Sequence, residues 1–235
     1  MNAQTINLNQ LRTIKNNIID IKSDDPIVIS HFASSHSFTQ AIISQFREML
    51  YDRFFVGKKD LTILDCGGNI GLFALHVNEC AKIVVSVEPT PNHGYVFKKL
   101  TNDYPNIRLV QAALSPKDED IEFYFCNQNT TMNSIVNNYG QGSIKVKGKT
   151  LKTILADNGL DFVDFAKVDI EGSEMAAIND ETISEVSNKI KSFFLEVHAT
   201  ADATLLQNRD KITSIFKNNG YSSENTGHDS AYYYR

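Results

Sequence analysis

The feature that most limits the possible fold of this chain is an apolar run that ends in an acid and a glycine-rich turn. Ile63 and Leu64 lead into Asp65, and three of the next six residues, 66–71, are glycine. Apolar residues then recur at helical spacing across residues 72–77. A strand, a tight turn and a helix in this order form the first unit of a doubly wound α/β sheet, whose ligands bind at the carboxyl ends of the strands. We therefore predict a nucleotide-type site at this turn.

The order of the acid and the glycines argues against a dinucleotide site. A dinucleotide fingerprint reads G-x-G-x-x-G, and its acid comes only after the second strand. Here Asp65 precedes the glycines, Asn69 takes the place of the second glycine, and Gly71 closes a D-x-G-x-x-x-G pattern. Gly67 would let the backbone pass close to a ligand and adopt a positive φ, and Asn69 is expected to cap the following helix. A turn that needs glycine for its geometry alone is the alternative.

The second predicted strand, residues 82–88, also ends in an acid. Glu88 lies at about the distance from the glycine turn that is typical of an acid binding ribose hydroxyls. A carboxylate can accept charge-assisted hydrogen bonds from both hydroxyls of a cis-diol. The alternative is an acid that caps the next helix, which segment 89–92 opens and which we expect to reach about Leu100.

A third strand is predicted at residues 107–113. In a nucleotide-type site, the end of this strand borders the adenine. Gln111 and Ala112 are therefore candidate neighbours of the base.

Residues 121–125 and 143–147 alternate between apolar and polar side chains, which predicts an added β hairpin. The segment between them, residues 127–141, is polar and rich in asparagine. A loop of this length with little apolar content is usually functional or mobile. A lid on the substrate side and a plain surface loop both remain open.

A fourth buried strand, residues 165–169, is followed by a turn and a helix. Asp169 lies at its end, the position that faces the crevice of an open α/β sheet, and Glu171 shares that side if the strand continues. Glu174 falls in the first turn of the helix, where a negative charge is favourable. We expect Glu174 to cap that helix.

The next strand, residues 193–198, carries Glu196 and His198 on one face by its period of two. A buried strand has little reason to carry such side chains unless they are paired or reach solvent. The pattern therefore predicts one crevice lined by four candidate catalytic residues: Asp169, Glu171, Glu196 and His198.

The predicted fold class is α/β, a Rossmann-like doubly wound sheet that is mostly parallel. Residues 1–57 predict an N-terminal helical extension packed on the core, and residues 58–235 form the main domain. A final helix is expected at residues 203–218, and residues 231–234 fit an antiparallel closing strand.

Composition limits the possible partners. The formal net charge is −5 and there is no Lys/Arg-rich run, so nucleic acid is a poor candidate, because neutralising phosphates requires a basic face. No apolar stretch has the length of a membrane span, and the polar start does not resemble a signal peptide. Three cysteines, Cys66, Cys80 and Cys126, are odd in number and lack metal-type spacing, which indicates free thiols in a reducing compartment. We expect a cytoplasmic protein.

Four segments together resemble the FkbM-type methyltransferases, which use S-adenosylmethionine and mostly methylate hydroxyls of sugars or natural products. These segments are residues 65–71, 87–89, 167–174 and 195–198. The resemblance implies a class I methyltransferase fold, S-adenosylmethionine as cofactor, S-adenosylhomocysteine as product and a small-molecule acceptor. It places Asp65 near the ammonium of the methionine moiety. The candidate cofactor-binding residues are then Asp65, Gly67, Asn69, Gly71, Glu88, Gln111, Ala112 and Asp169.

In such an enzyme the methyl group passes in line from the sulfonium to the acceptor oxygen, so the protein mainly aligns the partners and takes up a proton. His198 is the natural base by its unperturbed pKa, and Asp169 would orient the acceptor or the methionine end of the cofactor. A divalent metal held by Asp169, Glu171 and Glu196 is conceivable, because hard cations favour carboxylate oxygens. The pattern does not require a metal, and we expect none.

Two other functions remain open from the sequence. A nicotinamide-dependent oxidoreductase on the same kind of sheet would bind NAD, although Asn69 in place of a glycine argues against it. A non-enzymatic module would bind the cofactor, or use the fold alone, to recognise a partner.

Overall fold

A computed structural model describes residues 51–126, 133–136, 138 and 140–235. The strands are β1 (Leu61–Cys66), β2 (Ala81–Val87), β3 (Ile107–Val110), β4 (Ala113–Leu114), β5 (Asp120–Tyr124), β6 (Ser143–Lys149), β7 (Phe165–Val168), β8 (Ser192–Glu196), β9 (Ser222–Asn225) and β10 (Ser230–Tyr234). The helices are α1 (Asp52–Phe55), α2 (Leu72–Val77), α3 (Pro91–Thr101), α4 (Leu151–Asp157), α5 (Glu174–Ala177), α6 (Asp180–Val186) and α7 (Leu205–Asn218), with a 3-10 turn at Asn78–Cys80. The helical patterns predicted within residues 1–50 lie outside the described residues.

The main sheet has seven strands in the order β3-β2-β1-β7-β8-β10-β9. The first five of these strands run parallel, and β10 is antiparallel to both β8 and β9. This confirms the predicted Rossmann-like fold and its antiparallel closing strand. The chain leaves β1 toward β2 and β3 and later returns to place β7 on the other side, so the order reverses at β1. The carboxyl ends of β1 and β7 therefore flank the crevice where such sheets bind ligands.

The third strand is shorter than predicted, and the added hairpin is part of a larger unit. Strand β3 ends at Val110, and Ala113–Leu114 pairs instead with β6 as strand β4. Strands β5 and β6 pair antiparallel, as the alternation predicted. The result is a second sheet of three strands in the order β4-β6-β5. Residues 111–112 connect the two sheets, so the single strand predicted at residues 107–113 is divided at this point.

The main sheet is covered on both faces, and its strands alternate between two cores. In β1, Leu64 belongs to one core cluster and Ile63 to the other. In β8, Phe193 and Leu195 face the first cluster and Phe194 faces the second. Burial of alternate residues on opposite faces is what a strand period of two produces in a sheet with helices on both sides.

Aromatic rings dominate the second core. The Phe194 ring lies 4.9 Å from that of Tyr51 and 5.8 Å from that of Phe54, measured between centroids. Phe54 also contacts Tyr232, at 4.4 Å between ring centroids. Residues 51–55, the end of the predicted extension, thus pack on the sheet. The domain boundary at residue 57 stays a prediction.

The structure also bears on the predictions about membrane spans and about the cysteines. Within the described residues, each helix is too short or too polar to cross a bilayer. Cys66, Cys80 and Cys126 are free cysteines.

Replacing Phe194 by alanine tests the importance of the aromatic core. Phe194 is fully buried, so the change F194A should lower the free energy of unfolding by about 3–5 kcal/mol, because it removes buried surface and leaves a cavity. Phe162 is the matched control, because its side chain is 47% exposed and F162A should change the value by less than ~0.5 kcal/mol. Urea denaturation followed by circular dichroism measures both. Equal effects of the two variants would contradict this account of the core.

Candidate active site

The glycine turn after β1 is shaped by the turn after β7. Gly67 has a φ of 90°, and its amide donates a hydrogen bond to the carbonyl of Val87 at 2.9 Å. A Cβ atom at Gly67 would lie 1.7 Å from the backbone oxygen of Asp169. The sequence predicted a close approach to a ligand, whereas the structure adds a close approach to the neighbouring strand end. Only glycine satisfies both the positive φ and this contact.

Asn69 does not cap helix α2, and that prediction was wrong. The N-cap is Gly71, in the left-handed conformation with φ 90°. Asn69 itself has a φ of 47°, a conformation that asparagine tolerates better than most residues. Its amide donates to Glu88 Oε2 at 2.9 Å. Its side-chain oxygen Oδ1 is buried without a hydrogen-bond partner among the described residues.

Asp65 is fully buried at the end of β1. Its Oδ2 accepts a hydrogen bond from Ser86 Oγ at 2.9 Å, and its Oδ1 lies 3.8 Å from Lys167 Nζ without a hydrogen bond in the described part of the chain. Burial raises the pKa of Asp65, while Lys167 and the Ser86 hydrogen bond act in the opposite direction.

Glu88 is held in one orientation by three donors. The amides of Asn69 and Thr90 donate to its two oxygens, each at 2.9 Å, and His93 Nδ1 lies 3.2 Å from Oε1. Burial would raise the pKa of Glu88, but the hydrogen bonds from His93 and Thr90 outweigh it and hold the pKa below its usual value. Glu88 is therefore an ionised carboxylate, and a carboxylate has about four lone-pair sites, more than the three donors use.

The two candidate neighbours of the adenine differ in exposure. Gln111 is exposed, and its side chain lies beside Gly94. Ala112 is fully buried within the first core cluster. The side chain available to a ligand at this strand end is therefore that of Gln111.

The four predicted catalytic residues do converge, at the carboxyl ends of β7 and β8. One potential ligand atom from each of Asp169, Glu196 and His198 lies within 4.8 Å of the others. His198 Nε2 is 3.5 Å from Glu171 Oε2 and 3.8 Å from Glu196 Oε1. Glu171 has a left-handed φ of 54°, a strained conformation for this residue type that is frequent at functional sites.

Glu174 holds the turn and the imidazole of this cluster in place through hydrogen bonds. Its fully buried carboxylate accepts hydrogen bonds from the amides of Ile170 and Gly172, both at 3.0 Å. It also lies 3.2 Å from His198 Nδ1. The N-cap of α5 is Ser173, and Glu174 is the first residue of the helix, so its carboxylate bonds the turn before the helix and the imidazole. The sequence signal was an acid two residues after a glycine turn.

Lys167 is a site residue that sequence reasoning missed. Its side chain is only 5% exposed, and Nζ lies 3.1 Å from Asp169 Oδ2 as well as 3.8 Å from Asp65 Oδ1. Lysine is almost never buried unless it is paired. A lysine inside the apolar strand β7, between two strand-end acids, could have indicated this pairing.

The pKa values of side chains in the cluster differ from those of free side chains. Burial and the charge of Asp169 raise the pKa of Glu171 to about 8, and the charge of Asp169 together with burial raises the pKa of Glu196 to about 8. Burial alone would lower the pKa of His198, but Glu174, Glu171 and Asp169 raise it to about 10. His198 thus lacks the near-neutral pKa on which its expected role as base rested.

The segment between β5 and β6 reaches this cluster in its described part. The amide of Ile135 donates to Ser173 Oγ at 3.3 Å, and Ser134 Oγ lies 3.2 Å from the same hydroxyl. Residues 133–136 thus lie against the turn that carries Glu171 and Glu174. Residues 127–132, 137 and 139 of this segment, for which a lid and a plain surface loop both remained open, lie outside the described residues.

Comparison with known sequences decides the family. The model of the methyltransferase FkbM domain matches residues 65–223, well over half of the chain. The chain belongs to the FkbM methyltransferase family. The cofactor of this FkbM protein is accordingly S-adenosylmethionine, which excludes the nicotinamide alternative. No match is found among curated protein sequences.

Solved structures share the general architecture at low similarity. The fibrillarin pre-rRNA processing protein of Methanococcus jannaschii is 13% identical with a TM-score of 0.47, over 75% of this chain and 66% of that chain. The precorrin-6y C5,15-methyltransferase of Geobacter metallireducens is 13% identical with a TM-score of 0.48, over 81% and 89%. The magnesium protoporphyrin IX methyltransferase of Synechocystis, with bound S-adenosylmethionine, is 12% identical with a TM-score of 0.44, over 98% and 92%. Similarity at this level carries no information on the acceptor.

Replacing Gly67 by alanine tests the fit between the two turns. G67A should lower the free energy of unfolding by more than ~3 kcal/mol, because it adds both a steric overlap with Asp169 and a positive-φ penalty. Gly159 is a matched control: it also has a positive φ of 64°, but a Cβ there would meet nothing within 4 Å. G159A should cost only about 1 kcal/mol. Chemical denaturation of both variants measures the difference, and equal losses would show that the contact with Asp169 is unimportant.

Proposed function

We propose that this FkbM protein transfers the methyl group of S-adenosylmethionine to a hydroxyl oxygen of a sugar or natural product. The observation that carries the proposal is the convergence of Asp169, Glu171, Glu196 and His198 beside the strand end that leads into the glycine turn. Carboxylates and an imidazole can orient a neutral hydroxyl and take up its proton.

The residues at the glycine turn fit the proposed cofactor. The buried oxygens Asp65 Oδ1 and Asn69 Oδ1 lack hydrogen-bond partners among the described residues, and S-adenosylmethionine offers an ammonium and ribose hydroxyls as donors. Buried polar atoms are rarely left unsatisfied unless a ligand or water completes them. In the proposed arrangement Glu88 binds the ribose diol, Gln111 borders the adenine, and Asp65, Gly67, Asn69 and Gly71 hold the methionine end.

The chain's own contribution to the reaction is alignment and proton uptake. When bound, S-adenosylmethionine supplies a methyl group already activated by the sulfonium charge. Asp169 lies between the two turns and orients the acceptor, while Glu171 and Glu196, whose pKa values are raised to about 8, accept the hydrogen bond and the proton of the hydroxyl. His198, whose pKa is raised to about 10, lies beside them as a charged neighbour that orients the two carboxyl groups. Alignment of reacting groups can supply on the order of 7–11 kcal/mol of the barrier.

The acceptor is proposed to be a small molecule in the cytoplasm. A net charge of −5 disfavours a nucleic-acid acceptor, and an odd number of free cysteines suits a reducing compartment. The segment 133–136, which lies against Ser173, is proposed to form part of the acceptor side of the site.

Glu88 provides a test of cofactor binding. E88Q should weaken binding of S-adenosylhomocysteine about 10- to 100-fold, because a neutral amide loses the charge-assisted bonds to the ribose and to its backbone donors. Glu79 is exposed in the 3-10 turn before β2, and E79Q is the control that should bind as the wild type does. Isothermal titration calorimetry measures both. Unchanged affinity in E88Q would remove Glu88 from the cofactor site.

The acceptor class is tested with paired compounds that differ only in the reacting atom. Tritiated S-adenosylmethionine is incubated with hydroxylated sugars and natural-product aglycones, each alongside its amino analogue, such as a glucoside and a glucosaminide. We expect label in methyl ethers of the hydroxyl compounds, and a rate at least ~10²-fold lower in E196Q, which loses a hydrogen-bond acceptor for the hydroxyl. Label only in the amino analogues would make the chain an N-methyltransferase.

Retention of full activity by E196Q would contradict the role given to the cluster. If E196Q binds S-adenosylhomocysteine as tightly as the wild type while losing activity, the defect lies on the acceptor side.

A further inference from the structure

Three side chains that can each offer a metal-binding atom lie at the ends of β7 and β8. Asp169 directly follows β7, Glu196 is the last residue of β8, and His198 follows two residues later. One ligand atom from each lies within 4.8 Å of the others, and all three residues are partly buried. Their backbones are fixed by neighbouring parallel strands, so the convergence does not depend on flexible loops.

The orientation of His198 is the decisive observation. Its Nδ1 lies 3.2 Å from Oε1 of the fully buried Glu174, whose two oxygens already accept hydrogen bonds from backbone amides. A carboxylate cannot donate, so Nδ1 carries the proton and donates it. A histidine that donates one ring nitrogen to a carboxylate while the other faces a cluster of oxygens is the usual arrangement of a metal-binding histidine.

The other ring nitrogen faces acceptors only. His198 Nε2 lies 3.5 Å from Glu171 Oε2 and 3.8 Å from Glu196 Oε1. A lone pair pointing at carboxylate oxygens is unfavourable, so this geometry needs either a second proton on the imidazole or a cation between the groups.

Asp169 leaves one oxygen for such a cation. Its Oδ2 is bonded to Lys167 Nζ at 3.1 Å, whereas Oδ1 is buried without a hydrogen-bond partner in the described part of the chain. Lys167 is itself shared with Asp65, 3.8 Å away. Among the described residues, the ion pairs of Lys167 are with Asp65 and Asp169, and none joins it to Glu171 or Glu196.

We propose that Asp169, Glu196 and His198 bind a divalent metal ion, with Glu171 as a further oxygen donor. Two or three carboxylates with one imidazole suit a first-row ion such as Mn²⁺ better than Ca²⁺, which takes oxygen ligands alone. The sequence pattern did not require a metal and none was expected, so the proposal departs from that expectation. The ion would hold the acceptor hydroxyl and favour its deprotonation, a role that rests on the proposed methyl transfer, whereas its binding does not.

The test is Mn²⁺ binding to the purified protein without cofactor or acceptor. Calorimetry should show one Mn²⁺ per chain, with affinity reduced at least ~100-fold in E196Q and in H198Q. Glu185 is the matched control, because it forms a surface pair with Lys152 away from the cluster, and E185Q should bind Mn²⁺ as the wild type does. Pulsed electron paramagnetic resonance should detect nitrogen coupled to the bound Mn²⁺, and this signal should be absent from H198Q.

Two results would overturn the proposal: no stoichiometric Mn²⁺ binding by the wild type at millimolar concentration, or equal binding by wild type, E196Q and H198Q. The first would mean that the cluster binds no cation, and the second that Mn²⁺ binds elsewhere on the protein. Titration with S-adenosylhomocysteine shows that each variant is folded and tests the cofactor site separately. A protein that binds Mn²⁺ but not S-adenosylhomocysteine would contradict the proposed methyl transfer while leaving the metal site intact.

Discussion

The buried ammonium of Lys167 is the interaction on which the rest of the site depends. Lys167 and Asp65 are direct neighbours across β7 and β1, and Asp169 lies two residues further along the same strand direction. Burying one charge without its partners costs several kcal/mol, so removing any member of such a group typically destabilises a protein by about 3–5 kcal/mol. Asp65 introduces the glycine turn and Asp169 introduces the turn of the acidic cluster. The ammonium of Lys167 therefore connects the two halves of the crevice, which are the turn after β1 and the turn after β7.

Two further contacts make these halves a single unit. The carbonyl of Asp169 occupies the space where Gly67 would otherwise carry a side chain, so the turn after β1 and the turn after β7 fit only in one relative position. Glu174 then connects the second turn to β8 by bonding both the amide of Gly172 and the ring of His198. Because each link is a hydrogen bond, ion pair or backbone contact within the chain itself, the side chains of the cluster are positioned before any ligand binds. Such preorganisation is what aligned methyl transfer requires.

Much of the fold could be predicted from the spacing of apolar residues and from the acids and glycines at the ends of the predicted strands. The apolar run before Asp65, the strand ending at Glu88 and the block around Asp169 each predicted a strand end, and parallel strands bring their carboxyl ends to one edge of the sheet. That rule alone brought Glu196 and His198 to the same crevice as Asp169.

Sequence patterns could not predict which groups bond to each other at that edge of the sheet. Residue spacing does not reveal which acid a buried lysine bonds, so Lys167 was missed. The N-cap at Asn69 was wrong because the turn needed a left-handed residue bonded to Glu88 rather than a helix cap. The third strand ended early because Ala113 pairs with a strand more than thirty residues later in the chain. The pKa of His198 depends on the carboxylates of one distant segment, residues 169–174, which only the folded chain brings beside it.

The central claim is that the cofactor's methyl donor faces the cluster at the ends of β7 and β8. A crystal structure of the complex with S-adenosylhomocysteine tests this most directly. The account predicts the ribose hydroxyls on Glu88, the homocysteine ammonium beside Asp65 and the sulfur directed toward Asp169 and Glu196. A ligand whose sulfur points away from these carboxylates, or whose ribose lies elsewhere than on Glu88, would contradict it.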